Sequence, residues 1–133
     1  MKKSIAILFF ITAIACSKNT GTSKFAGTWS GTYSSAMTLI NPPVFDTGTV
    51  QIAVGTNYTA TGTLQSLHGG TQIIMKGTVD PSSGSISLFE YGVGNYGANI
   101  FLEGLNGNLS ADQGSGDLTF PWATTSRWWA AKN

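Results

Sequence analysis

Charge is scarce in this chain: Asp, Glu, Lys and Arg make up 10% of its 133 residues, against about a quarter in an ordinary soluble domain. Two of the seven basic residues, Lys2 and Lys3, precede an apolar run, so five basic residues face six acidic ones after it and the formal charge there is −1. A nucleic-acid partner, which needs a basic face to displace phosphate counterions, is excluded on that balance. There is one cysteine and one histidine. No internal disulfide is possible, and one histidine builds neither a His-based metal cluster nor a base with an obvious partner. Helical periodicity is missing throughout the chain after residue 16. The one long apolar run, Ser4 to Ile14, falls well short of the about 20 residues that span a bilayer as a helix.

That run is nevertheless informative. Met1-Lys2-Lys3 is a short positive segment, the apolar stretch follows, and Ala13-Ile14-Ala15 places small residues directly before Cys16. The pattern resembles a bacterial lipoprotein signal peptide over residues 1–15. The resemblance implies cleavage before Cys16, a diacylglycerol on its sulfur, and attachment to a membrane through that lipid. An ordinary cleaved signal is the alternative, since Ala13 stands where that family's lipobox usually carries Leu. Lipidation also accounts for a thiol that has no partner in an exported protein. Ser17 to Ser23 reads as a polar tether, and Ser rather than Asp at position 17 resembles an outer-membrane address. The expected location is the cell envelope, lipid-anchored, facing the periplasm or the surface.

From residue 24 onward, short β-branched and aromatic stretches alternate with Gly, Asn, Asp, Pro and Ser clusters. Eight strands are expected in one domain over 24–133: Lys24 to Met37, Thr47 to Gly55, Tyr58 to Leu67, Thr71 to Asp80, Ser85 to Tyr91, Ala98 to Ser110 (bent or broken near Gly104 to Gly107), Gly116 to Trp122 and Ser126 to Lys132. Short joints favour antiparallel neighbours. The longest connection runs from Thr38 to Asp46 and carries Pro42 and Pro43. Phe25, Trp29 and Tyr33 alternate with Thr28, Ser30, Thr32 and Ser34, and Val50, Ile52 and Val54 alternate with Thr49, Gln51 and Ala53. One apolar face and one Thr-rich face per strand fit an antiparallel sheet wetted on one side. Eight such strands gain by closing, because closure removes the edges. An all-β up-and-down meander barrel is therefore expected, with a two-layer sandwich as the alternative. Gly-Thr dipeptides recur, and Gly62 and Gly77 are expected to lie almost opposite one another across a hairpin.

Gly27-Thr28-Trp29 on the first strand, together with Arg127 on the last, resembles the calycin superfamily of lipocalins, fatty-acid-binding proteins and avidins. In lipocalins a Trp in this position packs at the closed end of the barrel beneath an Arg from a late strand, and Trp29 and Arg127 are the matching residues here. No Thr-Asp-Trp follows, and the middle strands lack the tryptophans that sandwich biotin in avidins.

Other patterns carry less chemistry. Gly92 to Gly97 spells G-x-G-x-x-G, but a strand rather than a helix is expected next, so no dinucleotide site forms. His68 reads as a turn residue, and Asp112 and Asp117 do not have calcium-loop spacing. Glu90 and Glu103 fall on neighbouring strands, where a paired-acid hydrolase would need both in one cleft; the simpler reading makes them rim carboxylates, Glu90 with Lys76. Trp122, Trp128 and Trp129 crowd the C-terminus, and adjacent Trp128 and Trp129 must point to opposite faces. The candidate ligand-binding residues are Trp29, Tyr33, Trp122, Trp128, Trp129 and Arg127. No catalytic set, metal site or cofactor is expected. Two functions remain: a lipid-anchored module that meets an envelope protein through its surface or loops, and a carrier of a small apolar or amphipathic ligand inside the barrel. The interior bulk of Phe25, Trp29, Tyr33, Met75 and Leu88 favours the first.

Cys16→Ala is expected to move the protein from the membrane to the soluble fraction on cell fractionation. Unchanged membrane association would refute the lipid anchor.

Overall fold

The computed structural model describes residues 23–37, 44–69, 72–93, 99–120 and 125–133. Cys16 with the apolar run before it and Trp122 lie outside them, as do 38–43, most of the long connection. Eight strands run β1 Gly27–Met37, β2 Val44–Val54, β3 Thr59–Ser66, β4 Ile73–Val79, β5 Ser85–Val93, β6 Asn99–Leu109, β7 Gln113–Thr119 and β8 Thr125–Lys132. Each pairs antiparallel with the next, and β8 pairs with β1 to close the barrel. This is the up-and-down architecture expected of a calycin-like chain, and the closing pair rules out the sandwich.

Three local expectations are corrected. Asp46 belongs to β2, paired with Ser35 of β1, and is not part of a connection. β6 is continuous through Gly104 to Gly107, and its irregularity falls where the register shifts between Glu90 and Tyr91 of β5, opposite Glu103 and Phe101. A shift of this kind bends a strand that a closing sheet needs bent. Gly62 faces Met75, while Gly77 faces Ala60, so the two glycines are offset by one same-face position.

Alternation builds the core. Trp29, Val50, Ile52, Leu64, Met75, Val79, Ile86, Leu88, Leu105 and Trp128 are buried, while their neighbours Thr28, Gln51, Thr61, Lys76 and Thr78 face solvent. Each buried aliphatic or aromatic side chain contributes roughly 1.5–3 kcal/mol by leaving water. The indole donors are not stranded: Trp29 Nε1 donates to the Phe25 carbonyl at 3.1 Å and Trp128 Nε1 to the Asn106 carbonyl at 3.0 Å. Ser35 and Ser126, both buried, bond each other through their hydroxyls at 2.7 Å across the β1–β8 seam.

So many large rings fit in a small barrel because glycines leave notches for them. A methyl group placed on Gly107 would collide with the Ser115 carbonyl oxygen and stand 2.8 Å from Cζ2 of Trp128, and one on Gly84 would collide with the Leu109 carbonyl oxygen and stand 2.7 Å from Cζ of Phe25. Gly48 likewise clears space beneath the Tyr33 ring. Gly84 carries a second constraint, a φ of +76°, which side-chain-bearing residues rarely adopt. The rings and the notches are one packing solution.

Gly107→Ala is accordingly expected to destabilise the barrel by about 1–3 kcal/mol, the usual range for overpacking. Urea unfolding would show a lower midpoint at an unchanged slope. Thr61→Ala, on the wetted face, is expected to stay within about 0.5 kcal/mol of the parent; equal losses at both sites would mean that Trp128 does not occupy the notch.

Candidate functional site

The strands divide the barrel into a floor, a mouth and a wall. The floor lies where the chain enters at Ser23, beside the connections 55–58, 80–84 and 110–112. Ala26 N–H donates to the Ser23 carbonyl at 2.9 Å, and this turn tucks Phe25 under the barrel. Lys132, paired with Trp29 across the seam, lays its ammonium 5.7 Å from the Trp29 ring centroid and donates to the Lys24 carbonyl at 2.8 Å. The cation that meets Trp29 is thus Lys132 and not Arg127. The reason is parity: Ser126, Trp128 and Ala130 are buried, so Arg127 falls on the outside. There it approaches Asp117 of β7, Nε to Oδ1 3.6 Å, with both side chains well exposed. Such a surface pair contributes little to stability.

At the mouth, three strands are tied by one carboxylate. Tyr33 of β1 donates its hydroxyl to Asp46 Oδ2 at 2.9 Å, and Ser66 of β3 donates to Asp46 Oδ1 at 2.7 Å. Phe120 packs on the phenol at a ring separation of 6.3 Å, tilted by 54°. Burial pushes the Tyr33 phenol up to about 12, with the hydrogen bond to Asp46 and that residue's negative charge acting in the same direction. A phenol held there stays protonated at neutral pH and serves as a donor rather than a base. The arrangement is a strap across β1, β2 and β3. Asp46 and Ser66 were not singled out in the sequence. Stepping the β2 alternation back from Val50 through Gly48 would have placed Asp46 on the inner face.

The wall carries the remaining candidate. Trp128 is fully buried, whereas Trp129 is 48% exposed. In register, Trp129 lies between Thr32 of β1 and Ser115 of β7. Along β8 its neighbours on the same face are Arg127 and Ala131. An open groove of about 1020 Å³ runs from the floor beside Lys24 and Phe25, over Ser30 and Thr32, to Trp129. A smaller depression of about 180 Å³ lies on the other side of the indole, bounded by Ser34, Ala36, Thr125 and Arg127. Trp129 is the residue common to both.

The structure therefore separates residues the sequence grouped together. Trp29 and Trp128 are core, Tyr33 belongs to the mouth strap, and Trp129 and Arg127 share the outer wall. Glu90 and Glu103 are cross-strand partners in backbone register, while Lys76 stands opposite Phe89. His68 is exposed in its turn, its backbone N–H donating to Ser66 Oγ at 3.1 Å. Among the described residues no three of His, Cys, Asp and Glu gather as metal ligands would.

One of the four tyrosines is expected to titrate near pH 12 when the phenolate band is followed, and Asp46→Asn should bring that midpoint down toward the ordinary value of about 10. Because the folded pKa lies above the unfolded one, the linked stability is complete below about pH 10 and is lost as pH rises toward 12. A midpoint unmoved by Asp46→Asn would show that the strap does not act on the phenol. Comparison with protein-family models, curated proteins and solved structures finds no match, so the chemistry of the wall, floor and mouth must carry the functional argument.

Proposed function

We propose that this protein is a lipid-anchored, non-enzymatic binding module of the cell envelope that works through the outside of its barrel. The observation that carries this reading is the division of aromatic residues. Trp29, Trp128, Phe25 and Tyr33 are buried with the aliphatic core, while Trp129 stands on the wall between two depressions. An eight-stranded barrel has room either for its own side chains or for one small ligand. The buried rings and aliphatic side chains inside this barrel favour the first.

The anchor fits the same picture. The described chain enters the barrel at Ser23, on the floor, and the tether from Cys16 reaches roughly 25 Å at full extension. A lipid on Cys16 would hold the floor toward the bilayer and present the wall sideways. The outer membrane is the favoured location.

Native mass spectrometry of the lipidated chain, released from detergent micelles, tests the reading. The expected mass is that of the polypeptide from Cys16 with its lipid. A reproducible additional mass that disappears on denaturation would replace the surface module with a carrier.

A further inference from the structure

Resting on the surface-module reading, we propose that the groove crossed by Trp129 binds an uncharged saccharide chain. Its chemistry is amphipathic in a particular way. The indole offers a flat apolar face and edge in contact with two depressions. Around it the wall carries short uncharged side chains: Thr32 and Ser115 flank the ring, and Ser30, Ala131 and Gln113 form the next row toward the floor. Hydroxyls both donate and accept, and a primary amide does both through different atoms. A sugar ring has the matching character, with C–H groups on its faces and hydroxyls at its rim. Stacking on Trp129 covers the first, and Ser30, Thr32, Ser115 and Gln113 meet the second. Nearly half of Trp129 is exposed beside Thr32 and Ser115, so a bound ring can lie against it.

Other occupants fit poorly. Arg127 beside the groove already faces Asp117. Lys24 at the floor end is turned toward Phe25, its ammonium 4.7 Å from the ring centroid, and toward the Ser82 carbonyl at 3.5 Å. The groove therefore presents no cluster of cations for phosphate or nucleic acid. A peptide adding as a strand needs a free sheet edge, and at Trp129 the strand β8 is paired on both sides, with Thr32 of β1 and Ser115 of β7. A lipid tail needs an enclosed apolar pocket, and this groove is open to solvent, with Ser30, Thr32, Ser110 and Ser115 in its lining. An uncharged polyhydroxylated chain satisfies both components of the surface. A groove of about 1020 Å³ is large enough for several linked sugars.

The test is retention of the full-length protein, in detergent, on insoluble cellulose, chitin, mannan, xylan and purified peptidoglycan sacculi. Retention on at least one of the four polysaccharides other than sacculi is expected, with release by soluble oligosaccharide of the same sugar. Trp129→Ala should weaken it at least tenfold, Trp129→Phe should retain most of it, and Ile74→Ala on the opposite wall should leave it unchanged, all with the parent circular dichroism. Retention on sacculi alone, whose peptides carry carboxylates, would overturn the uncharged assignment, and retention on any of the other four solids would identify the saccharide chain. Failure to be retained on any of the five, or undiminished retention of Trp129→Ala, overturns the proposal. If the native mass spectrum also lacks cargo, only the saccharide assignment falls and the surface module stands. A cargo mass removes both.

Discussion

The pairing of β8 with β1 decides both the interior and the exterior of this barrel. Tyr33 faces Trp128 across that seam and Thr32 faces Trp129. Because side chains alternate, a slip of one residue would send Trp129 into the core and expose Trp128. The slipped arrangement is disfavoured on both sides. Trp128 would lose the notch at Gly107 and its bond to the Asn106 carbonyl, and Arg127 would turn inward, away from water and from Asp117. The bond between Ser35 and Ser126 is a further register lock, since two buried hydroxyls satisfy each other only when they face. Core formation and display of the wall indole are therefore one event.

The same constraint shapes what the barrel can do. Filling the lumen with rings requires small neighbours, and Gly48, Gly84 and Gly107 provide them beside Tyr33, Phe25 and Trp128. Binding chemistry is then left to positions that packing does not use: the outer face, where Thr, Ser, Gln and Asn predominate. On that face nearly half of Trp129 remains exposed. An exposed indole is the informative exception among residues that usually seek burial.

Much of the fold was legible in the sequence because it depends on period two, which residues display directly. Phe25, Trp29 and Tyr33, and Val50, Ile52 and Val54, reveal their shared faces without any knowledge of partners. The site was less legible because it depends on register. Nothing in the residues 126–132 alone says which tryptophan is inward. Arg127 offered a familiar match to Trp29, yet the cation that reaches Trp29 is Lys132, which has the inward parity. Asp46 was hidden by its position next to a proline-containing connection, although its parity with Gly48 and Val50 was in plain view. Gly62 and Gly77 were offset by the length of one turn, which composition does not fix.

Scarcity of charge has a structural counterpart. A wall of hydroxyls and amides hydrates well without the strong fields that would draw polyelectrolytes to it. Two of the three basic residues with an assigned aromatic or acidic neighbour, Lys24 and Lys132, lie at the floor, and the third, Arg127, is balanced by Asp117. The floor cations also cap rings that would otherwise meet water, their stems covering apolar surface while the ammonium groups reach outward. On the grooved wall Arg127 and Asp117 offset one another, and recognition there rests on shape, stacking and hydrogen bonds.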